Sequence, residues 1–411
     1  MAANQRWVSG ALSTPQVGTI TVTGYDVTTT YKATIGSKVI SQIGTGGTTT
    51  ATATALYNLL VASTEPEFKE VTWTNPSAGV ITYTVPASKA GKPVTITGSV
   101  TGGAGTIANA TTTANSGPSV FDIATNWTTL VPVATDTAYF DNSTVDLLYD
   151  LSQAGFTVAA GIIAQSFEAA LGLGKFNTDG TPYTEYRPDY LALDCSLWTI
   201  GLGPGRGSGR LKINSGTVQT AVNVFNTGTP EEPDLESLLW KGTHASNAMN
   251  VFGNASVGIA VFGSEVATLL TLNVDQNARV RCGAGATLGT IVVNNGTLEV
   301  NGAIGTKLTM LKGLVNINGT GAVAGLEVRG GRCNYNSTGT LGGTPIVSGN
   351  GVLDFEQDPR AKAVTNPIQI YGTAARVNDW NKTVAALAYK LNEGAMPAQV
   401  RVGPNATLTR T

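Results

Sequence analysis

The amino-acid sequence predicts a mainly β protein, in which a small N-terminal α+β module precedes a right-handed parallel β-helix, or solenoid. Composition, alternating apolar and polar residues, and regularly recurring turn glycines all point to this fold class. The chain has 411 residues, of which 50 are Gly and only 13% are charged. Such a composition favours strands and turns and gives long helices little support.

The clearest repeat lies in residues 269–355, where each segment contains a short strand, a glycine turn and a second short strand. The turn glycines recur at about 17 to 20 residues, which is within the period range of solenoid coils. They are Gly296, Gly313, Gly331 and Gly351. A single coil cannot bury its own apolar face, so apolar side chains of successive coils should stack in inward ladders. The predicted ladder positions are Leu298 and Val300, Val315 and Ile317, Cys333 and Tyr335, and Leu353 and Phe355.

The first hundred residues have a different pattern. Apolar and polar residues alternate in 19–39, which predicts one or two strands, and 50–63 has the apolar spacing of a helix that Pro66 ends. Strands resume at 70–74, 79–85 and 92–97. This order predicts a compact α+β module.

These patterns divide the chain into four parts. Residues 1–100 form the module, and 101–120 are a linker, because Gly, Thr, Ala, Ser and Asn cannot bury a core. Residues 121–360 form the parallel β-helix with inserted loops. Residues 361–411 form a C-terminal cap or an oligomerisation tail.

Charge and hydropathy exclude several classes of function. The formal net charge is −2, and no run of Lys and Arg is long enough to follow a phosphate backbone, so we expect no nucleic-acid partner. No segment has the roughly 20 apolar residues of a membrane span, and the N-terminus has no apolar export signal. We therefore expect a protein that is made in the cytoplasm and has no membrane partner.

No metal site or cofactor site is expected. Cys195, Cys282 and Cys333 are far apart in sequence, so we expect free and mostly buried thiols. His244 is interpreted as a loop residue. The glycine-rich segment 201–210 (GLGPGRGSGR) lacks the spacing of a phosphate-binding loop and is interpreted as a turn.

One group of acidic residues is a candidate active site. Asp354, Glu356 and Asp358 alternate along one strand, so their side chains should share a face, and two of them have the chemistry to act as acid and base at a glycosidic bond. Against this, Pro359 ends the strand and acidic residues at a strand exit are ordinarily solvated. We predict that the protein has no catalytic residues.

A second candidate region combines aromatic and acidic residues. Tyr183, Tyr186 and Tyr190 lie in an acidic neighbourhood, whose members are Asp179, Glu185, Asp189 and Asp194. Two interpretations remain open for this insertion: a contact for glycan or protein, or a packed loop.

Two short motifs resemble known families. YKATIGSKVI at 31–40, the helix ending at 62, VITYTV at 80–85 and GKPVTIT at 91–97 resemble a module of tailed-bacteriophage tail and head accessory proteins, over less than a fifth of the chain. NWTTLVPVATDTAYF at 126–140 is similar to the segment that precedes autotransporter-like and adhesin-like β-helices, although Ala134 and Thr135 stand where that family usually has Gly. The second resemblance implies that Trp127 caps one end of the solenoid.

Together these features predict a structural component of a bacteriophage virion: a decoration, fibre or tail accessory subunit that gives stability or surface attachment. The module at 1–100 would anchor it to the particle. The expected partners are other virion proteins, further copies of the chain, most simply in a trimer, and possible host-surface glycans. The alternatives are a tailspike-like enzyme that degrades polysaccharide, and a bacterial surface adhesin, against which the absent export signal argues.

Overall fold

The computed structural model describes residues 3–174, 185–232, 234–380, 388–402 and 407–410. Strands account for 46% of the protein and helices for 7%, and most of the strands lie in two long parallel sheets. The prediction of a mainly β protein is therefore confirmed, and the parallel sheets are consistent with a solenoid. In the described part of the chain, no helix is both long and apolar enough to cross a membrane.

The first 113 residues contain eight strands and one α-helix. They are β1 (Asn4–Arg6), β2 (Val17–Gly24), β3 (Thr30–Ile35), β4 (Lys38–Ile43), α1 (Thr49–Ala62), β5 (Thr72–Ser77), β6 (Val80–Thr84), β7 (Ile96–Thr101) and β8 (Thr106–Thr113). Two antiparallel sheets form, in the orders β5-β6-β2-β8 and β4-β3-β7. An antiparallel bridge between Thr14 and Ser116 joins the two ends of this region, and residues 14–116 are called the inserted unit below.

Helix α1 covers the segment for which a helix was predicted. The hydroxyl of Thr48 accepts a hydrogen bond of 3.1 Å from the amide of Ala51, which is the usual way to begin a helix. Ala53, Leu56 and Leu60 are buried in the core of the inserted unit. The helix therefore contributes one apolar stripe to that core.

The predicted linker is wrong over much of its length. Strand β7 runs to Thr101, and β8 pairs antiparallel with β2, although most side chains of β8 are exposed. Small polar residues cannot fill a core, but an edge strand needs only backbone hydrogen bonds to its neighbour. Composition alone therefore did not distinguish a linker from an exposed strand.

The remaining strands follow one another through the rest of the chain. They are β9 (Thr137–Phe140), β10 (Ser152–Val158), β11 (Ala160–Ala164), β12 (Leu191–Cys195), β13 (Leu197–Leu202), β14 (Leu211–Asn214), β15 (Ala221–Val224), β16 (Leu238–Lys241), β17 (Ala248–Val251), β18 (Ser256–Ile259), β19 (Ala267–Val274), β20 (Ala278–Cys282), β21 (Ala286–Val293), β22 (Gly296–Val300), β23 (Ala303–Met310), β24 (Leu314–Ile317), β25 (Leu326–Val328), β26 (Arg332–Tyr335), β27 (Ile346–Val347), β28 (Val352–Asp354), β29 (Ile368–Tyr371), β30 (Arg376–Asp379), β31 (Ala388–Asn392), β32 (Val400–Val402) and β33 (Thr407–Arg410).

These strands alternate between two sheets. Strand β1 and the odd-numbered strands from β9 form a 14-stranded parallel sheet, and the even-numbered strands from β10 form a 12-stranded parallel sheet. Each coil of the chain thus adds one strand to each sheet. The two sheets and their connecting turns are called the solenoid below.

The inward ladders have the predicted register. Val300 pairs with Ile317, and Ile317 pairs with Tyr335, in adjacent parallel strands. All three side chains are fully buried in one continuous core. Cys333 and Leu353 continue the neighbouring ladder. The glycine-turn repeat therefore identified both the coil period and the inward face.

The N-terminal end of the solenoid begins before the inserted unit. Strand β1 pairs with β9, so the chain forms the first strand of the sheet, leaves it for the inserted unit, and then returns. Trp127 is buried there, with its ring centroid 5.3 Å from that of Trp7 and 5.0 Å from that of Phe121. Residues 4–7 thus belong to the solenoid, and the predicted boundary between residues 1–100 and the solenoid is wrong for them.

The C-terminal region also differs from the prediction. Strands β29 to β33 extend both parallel sheets, so the solenoid continues beyond residue 360 and no separate tail begins at 361. Ile368, Ile370 and Tyr389 point into the core as further ladder positions. Strand β28 ends at Asp354, so Glu356 and Asp358 do not share a strand with Asp354 as predicted, and Pro359 lies in the connection after which the chain re-enters both sheets.

Replacing Ile317 with Ala should lower the free energy of unfolding by about 2–5 kcal/mol, because the truncation leaves a cavity between Val300 and Tyr335. Urea unfolding followed by circular dichroism measures this change. Val292 is an outward-facing valine in β21, so Val292→Ala is the matched control and should cost less than about 1 kcal/mol. Equal losses in both variants would contradict the register described above.

Candidate functional site at the junction of the inserted unit and the solenoid

The predicted acidic candidates are held by separate ionic contacts. Asp354 is fully buried and pairs with the guanidinium of Arg332, and it also accepts hydrogen bonds from Asn378 Nδ2 at 3.0 Å and from the amide of Glu356 at 2.8 Å. The expectation that this carboxylate is solvated is therefore wrong. Its partners lie on neighbouring coils, so the strand sequence alone did not reveal them.

Glu356 and Asp358 are also engaged. The Glu356 carboxylate accepts a 3.2 Å hydrogen bond from the amide of Trp380. Asp358 pairs with Arg360 and Lys362, and hydrogen bonds from Arg360 hold the pKa of Asp358 well below its usual range. Each of these carboxylates thus stabilises a turn or a contact between coils.

The aromatic candidates are packed against the protein. Tyr183 lies outside the described residues. The hydroxyl of Tyr186 donates a 3.1 Å hydrogen bond to Glu70 Oε2, and its ring packs against the core of the inserted unit. Tyr190 is buried, and burial raises the pKa of its hydroxyl far above the usual value. The described contacts of Tyr186 and Tyr190 are therefore with other parts of the protein.

A buried group of charges connects the inserted unit to the solenoid. Glu70 and Lys92 come from the inserted unit, Glu185 and Arg187 come from the loop before β12, and these four residues are called the junction cluster. Lys92 Nζ lies 2.8 Å from Glu70 Oε1, and Arg187 pairs with Glu70 Oε2 and, at 2.7 Å, with Glu185 Oε1. The four side chains are at most 6% exposed.

The junction cluster balances two negative charges against two positive ones. Arg187 also donates from Nε to the carbonyl oxygen of Pro93 in the inserted unit, at 2.5 Å. A buried ion pair requires good geometry and further hydrogen bonds to offset its desolvation, and both are present here. The four residues are scattered over more than a hundred positions, and no sequence pattern distinguished them from ordinary solvated charges.

A cavity of about 320 Å³ lies beside the junction cluster. Its walls come from both parts of the protein, and they are formed by Pro93, Thr95, Asp122, Leu148, Tyr149, Asp150, Leu151, Ser152, Gln153, Arg187 and Pro188. We call it the junction cavity. At this cavity the described residues combine buried charges with a partly open space.

Two carboxyl groups meet in the junction cavity. Asp150 is hydrogen-bonded to Asp122, and burial together with the negative charge of Asp122 raises the pKa of Asp150 to about 7. Two neighbouring carboxyl groups ionise in separate steps, because the second negative charge is repelled by the first. The Asp150 carboxyl group therefore keeps its proton to a higher pH than an ordinary aspartate. The guanidinium of Arg187, in the same wall, is already engaged by Glu70 and Glu185.

The remaining candidates have structural roles. Cys195, Cys282 and Cys333 are free and buried, and burial raises the pKa of the Cys195 thiol to about 11. His244 Nδ1 accepts a 3.1 Å hydrogen bond from the amide of Ser246 within its own loop. Among the described residues, no group of three or more His, Cys, Asp or Glu is placed to hold a metal ion.

Replacing Glu70 with Gln should lower the free energy of unfolding by about 3–5 kcal/mol, because two buried cations of the junction cluster, Lys92 and Arg187, would be left with one carboxylate, Glu185. Differential scanning calorimetry or urea unfolding measures the loss. The control is Glu65→Gln, since Glu65 forms an exposed pair with Lys38 at 2.7 Å and such pairs contribute less than about 1 kcal/mol. A loss at Glu70 no larger than the loss at Glu65 would show that the cluster is not buried in solution.

The carboxyl pair predicts a pH dependence of stability. The folded-state pKa of Asp150, about 7, lies above the unfolded value of about 3.9. The folded state therefore binds more protons in this interval, and the Asp150 contribution to stability decreases as pH rises from about 4 to about 7. Asp150→Asn should flatten this slope in urea midpoints measured from pH 5 to pH 8.

Asp26→Asn is the control for this measurement. Hydrogen bonds from Thr28 lower the pKa of Asp26 to about 2, so its titration lies outside the tested interval and its replacement should leave the slope unchanged. If the wild-type protein and Asp150→Asn have the same slope between pH 5 and pH 8, the pKa of Asp150 is not raised in the folded protein.

Comparison of the chain with protein-family models, with curated proteins and with solved structures finds no match.

Proposed function

We propose that this protein is a structural component of a bacteriophage virion, acting as a decoration, fibre or tail accessory subunit. The observation that carries the proposal is the joint between the inserted unit and the solenoid. The chain enters the solenoid at β1 before it forms the inserted unit, and the junction cluster connects the two a second time. This arrangement suits a rod that carries a folded unit at one end in a fixed orientation.

In this proposal the inserted unit anchors the protein to the particle. The support is the resemblance of residues 31–40 and 91–97 to a module of tailed-phage accessory proteins. The solenoid, for which we propose a right-handed coil, then projects as a stiff body whose adjacent coils are joined by main-chain hydrogen bonds. Strands β32 and β33 stand last in their sheets, and edge strands readily pair with other chains. A homotrimer on the particle is the simplest assembly.

The alternative of polysaccharide cleavage is less well supported. Asp354 and Asp358 are bound by different cationic side chains. Asp122 and Asp150 are in hydrogen-bond contact, whereas the carboxyl groups of glycosidases are separated by about 5 Å or more. We therefore propose attachment or stabilisation, without catalysis, as the role of the protein.

If the proposal is right, the protein should sediment with intact virus particles in a density gradient, and antibodies against it should label their surface in electron micrographs. A capsid subunit and a soluble host enzyme are the positive and negative controls. Light scattering of the purified protein should give about three times the chain mass of 42.2 kDa. Recovery of the protein only from the particle-free fraction would refute the virion role.

An assay for new reducing ends tests the enzymatic alternative. Purified protein is incubated with host surface polysaccharide, and new reducing ends are counted. No increase over a heat-denatured sample is expected. An increase that disappears in Asp122→Asn or Asp354→Asn would replace the structural role with cleavage.

A further inference from the structure

Lys212 is buried on the outer side of the second sheet. It lies in β14, its side chain is 1% exposed, and its Nζ has no hydrogen-bond partner. The rings of Tyr190 and Phe262 lie near Lys212, with centroids 5.8 and 6.0 Å from its Nζ. Burial lowers the pKa of Lys212, so the neutral amine is more accessible than in an exposed lysine.

One carboxyl group lies next to this amine. Asp189 Oδ2 is 3.6 Å from Lys212 Nζ, and the Asp189 side chain is 42% exposed. The approach depends on Gly172, which has a φ of +102° and lies between the two residues. A Cβ at this position would lie 2.7 Å from both the carbonyl oxygen of Asp189 and the Cβ of Lys212. A glycine here thus allows the loop to approach β14 closely.

We propose that Lys212 and Asp189 are joined by an amide bond between their side chains. The bond would be an intramolecular cross-link between the loop before β12 and strand β14. It needs no cofactor and no second protein. The inference is independent of the proposed function.

The reaction is a condensation whose atoms balance within the pair. A proton passes from the Lys212 ammonium to the Asp189 carboxylate, which leaves a neutral amine and a carboxylic acid. The nitrogen lone pair attacks the carboxyl carbon, so an N–C bond forms. The C–O bond to the hydroxyl group then breaks, and the hydroxyl leaves with one proton from nitrogen as water. The net change converts one ammonium and one carboxylate into one amide and one water molecule.

The environment favours both the reaction and its product. Two reacting groups held in alignment, with the reacting atoms about 3–3.5 Å apart, reach effective concentrations on the order of 10⁵ M or more. Lys212 Nζ lies 3.6 Å from Asp189 Oδ2, so a small approach brings the groups to this geometry. A neutral amide also removes an ammonium charge from a desolvated position where it lacks hydrogen bonds. The exposed side of Asp189 gives the departing water a route to solvent.

A second lysine provides an internal comparison. Lys241 Nζ lies 3.6 Å from Glu265 Oε1, which is the same separation as in the Lys212 pair. The Lys241 side chain is 26% exposed, and its Nζ lies 3.8 Å from the ring centroid of Tyr190. Water and the aromatic face stabilise the charged form of Lys241. The proposal therefore predicts a cross-link at Lys212 and none at Lys241.

The cross-link would lie next to the joint between the inserted unit and the solenoid. Asp189 follows Arg187 by two residues, and Arg187 belongs to the junction cluster. A covalent bond at Asp189 would attach this loop to the wall of the solenoid. The loop would then keep its position on the solenoid, and Arg187 in that loop would still contact the inserted unit through Glu70.

The test is the intact mass of the denatured full-length protein. The expected mass is lower than that of the uncross-linked chain by one water molecule, and proteolytic fragments carrying Asp189 and Lys212 should be recovered as one branched species. Lys212→Arg and Asp189→Ala should each restore the full mass after correction for the substitution. Lys241→Arg should keep the deficit.

Each outcome of the mass measurement either supports or overturns the proposed cross-link. A wild-type protein with the full mass overturns it, and this measurement does not depend on whether a variant folds. A deficit that persists in Lys212→Arg, or a branched species joining Lys241 to Glu265, also overturns it. A deficit that only the Lys212 and Asp189 variants remove supports it.

Discussion

The structure depends on the stacking of one coil on the next. No coil has enough apolar surface to form a core by itself, so Val300, Ile317 and Tyr335 are buried only because they lie in consecutive strands of one parallel sheet. The same constraint applies at the N-terminal end, where the first coil has no earlier coil beneath it. Trp7 and Trp127 cover the core there. The aromatic side chains at the N-terminal end and the ladders along the coils therefore both keep the apolar core away from water.

The placement of the inserted unit follows from this stacking. Because β1 occupies the first position of the sheet, both ends of the inserted unit are held close together by a strand pair that is already part of the solenoid. The junction cluster adds a second connection, through Glu70 and Arg187. Two connections restrict rotation about the joint more than a single linker does. A fixed orientation is what an attachment role requires, and it is also what the junction cavity requires in order to keep its shape.

The sequence predicted those features that repeat locally and missed those that depend on distant partners. The ladder through Ile317 was predictable, because a glycine turn and an alternating strand recur in each coil. Strand β1 was not predictable from the sequence, since its three polar residues have no periodicity and their partner, β9, lies far along the chain. Asp354 was expected to be solvated because its cation, Arg332, belongs to another coil. The junction cluster was missed for the same reason.

Parallel stacking also explains the small number of charges in the composition. Equivalent residues of adjacent strands lie about 4.8 Å apart, so a column of like charges would repel along its whole length. An asparagine both donates and accepts, and the outward column Asn223, Asn250 and Asn273 is joined by side-chain hydrogen bonds of 2.8 and 2.7 Å. Several charges on neighbouring coils pair with a charge of opposite sign, as Lys307 does with Glu327. A charged content of 13% is therefore consistent with the fold, and the four buried charges of the junction cluster lie at a joint, where they balance one another.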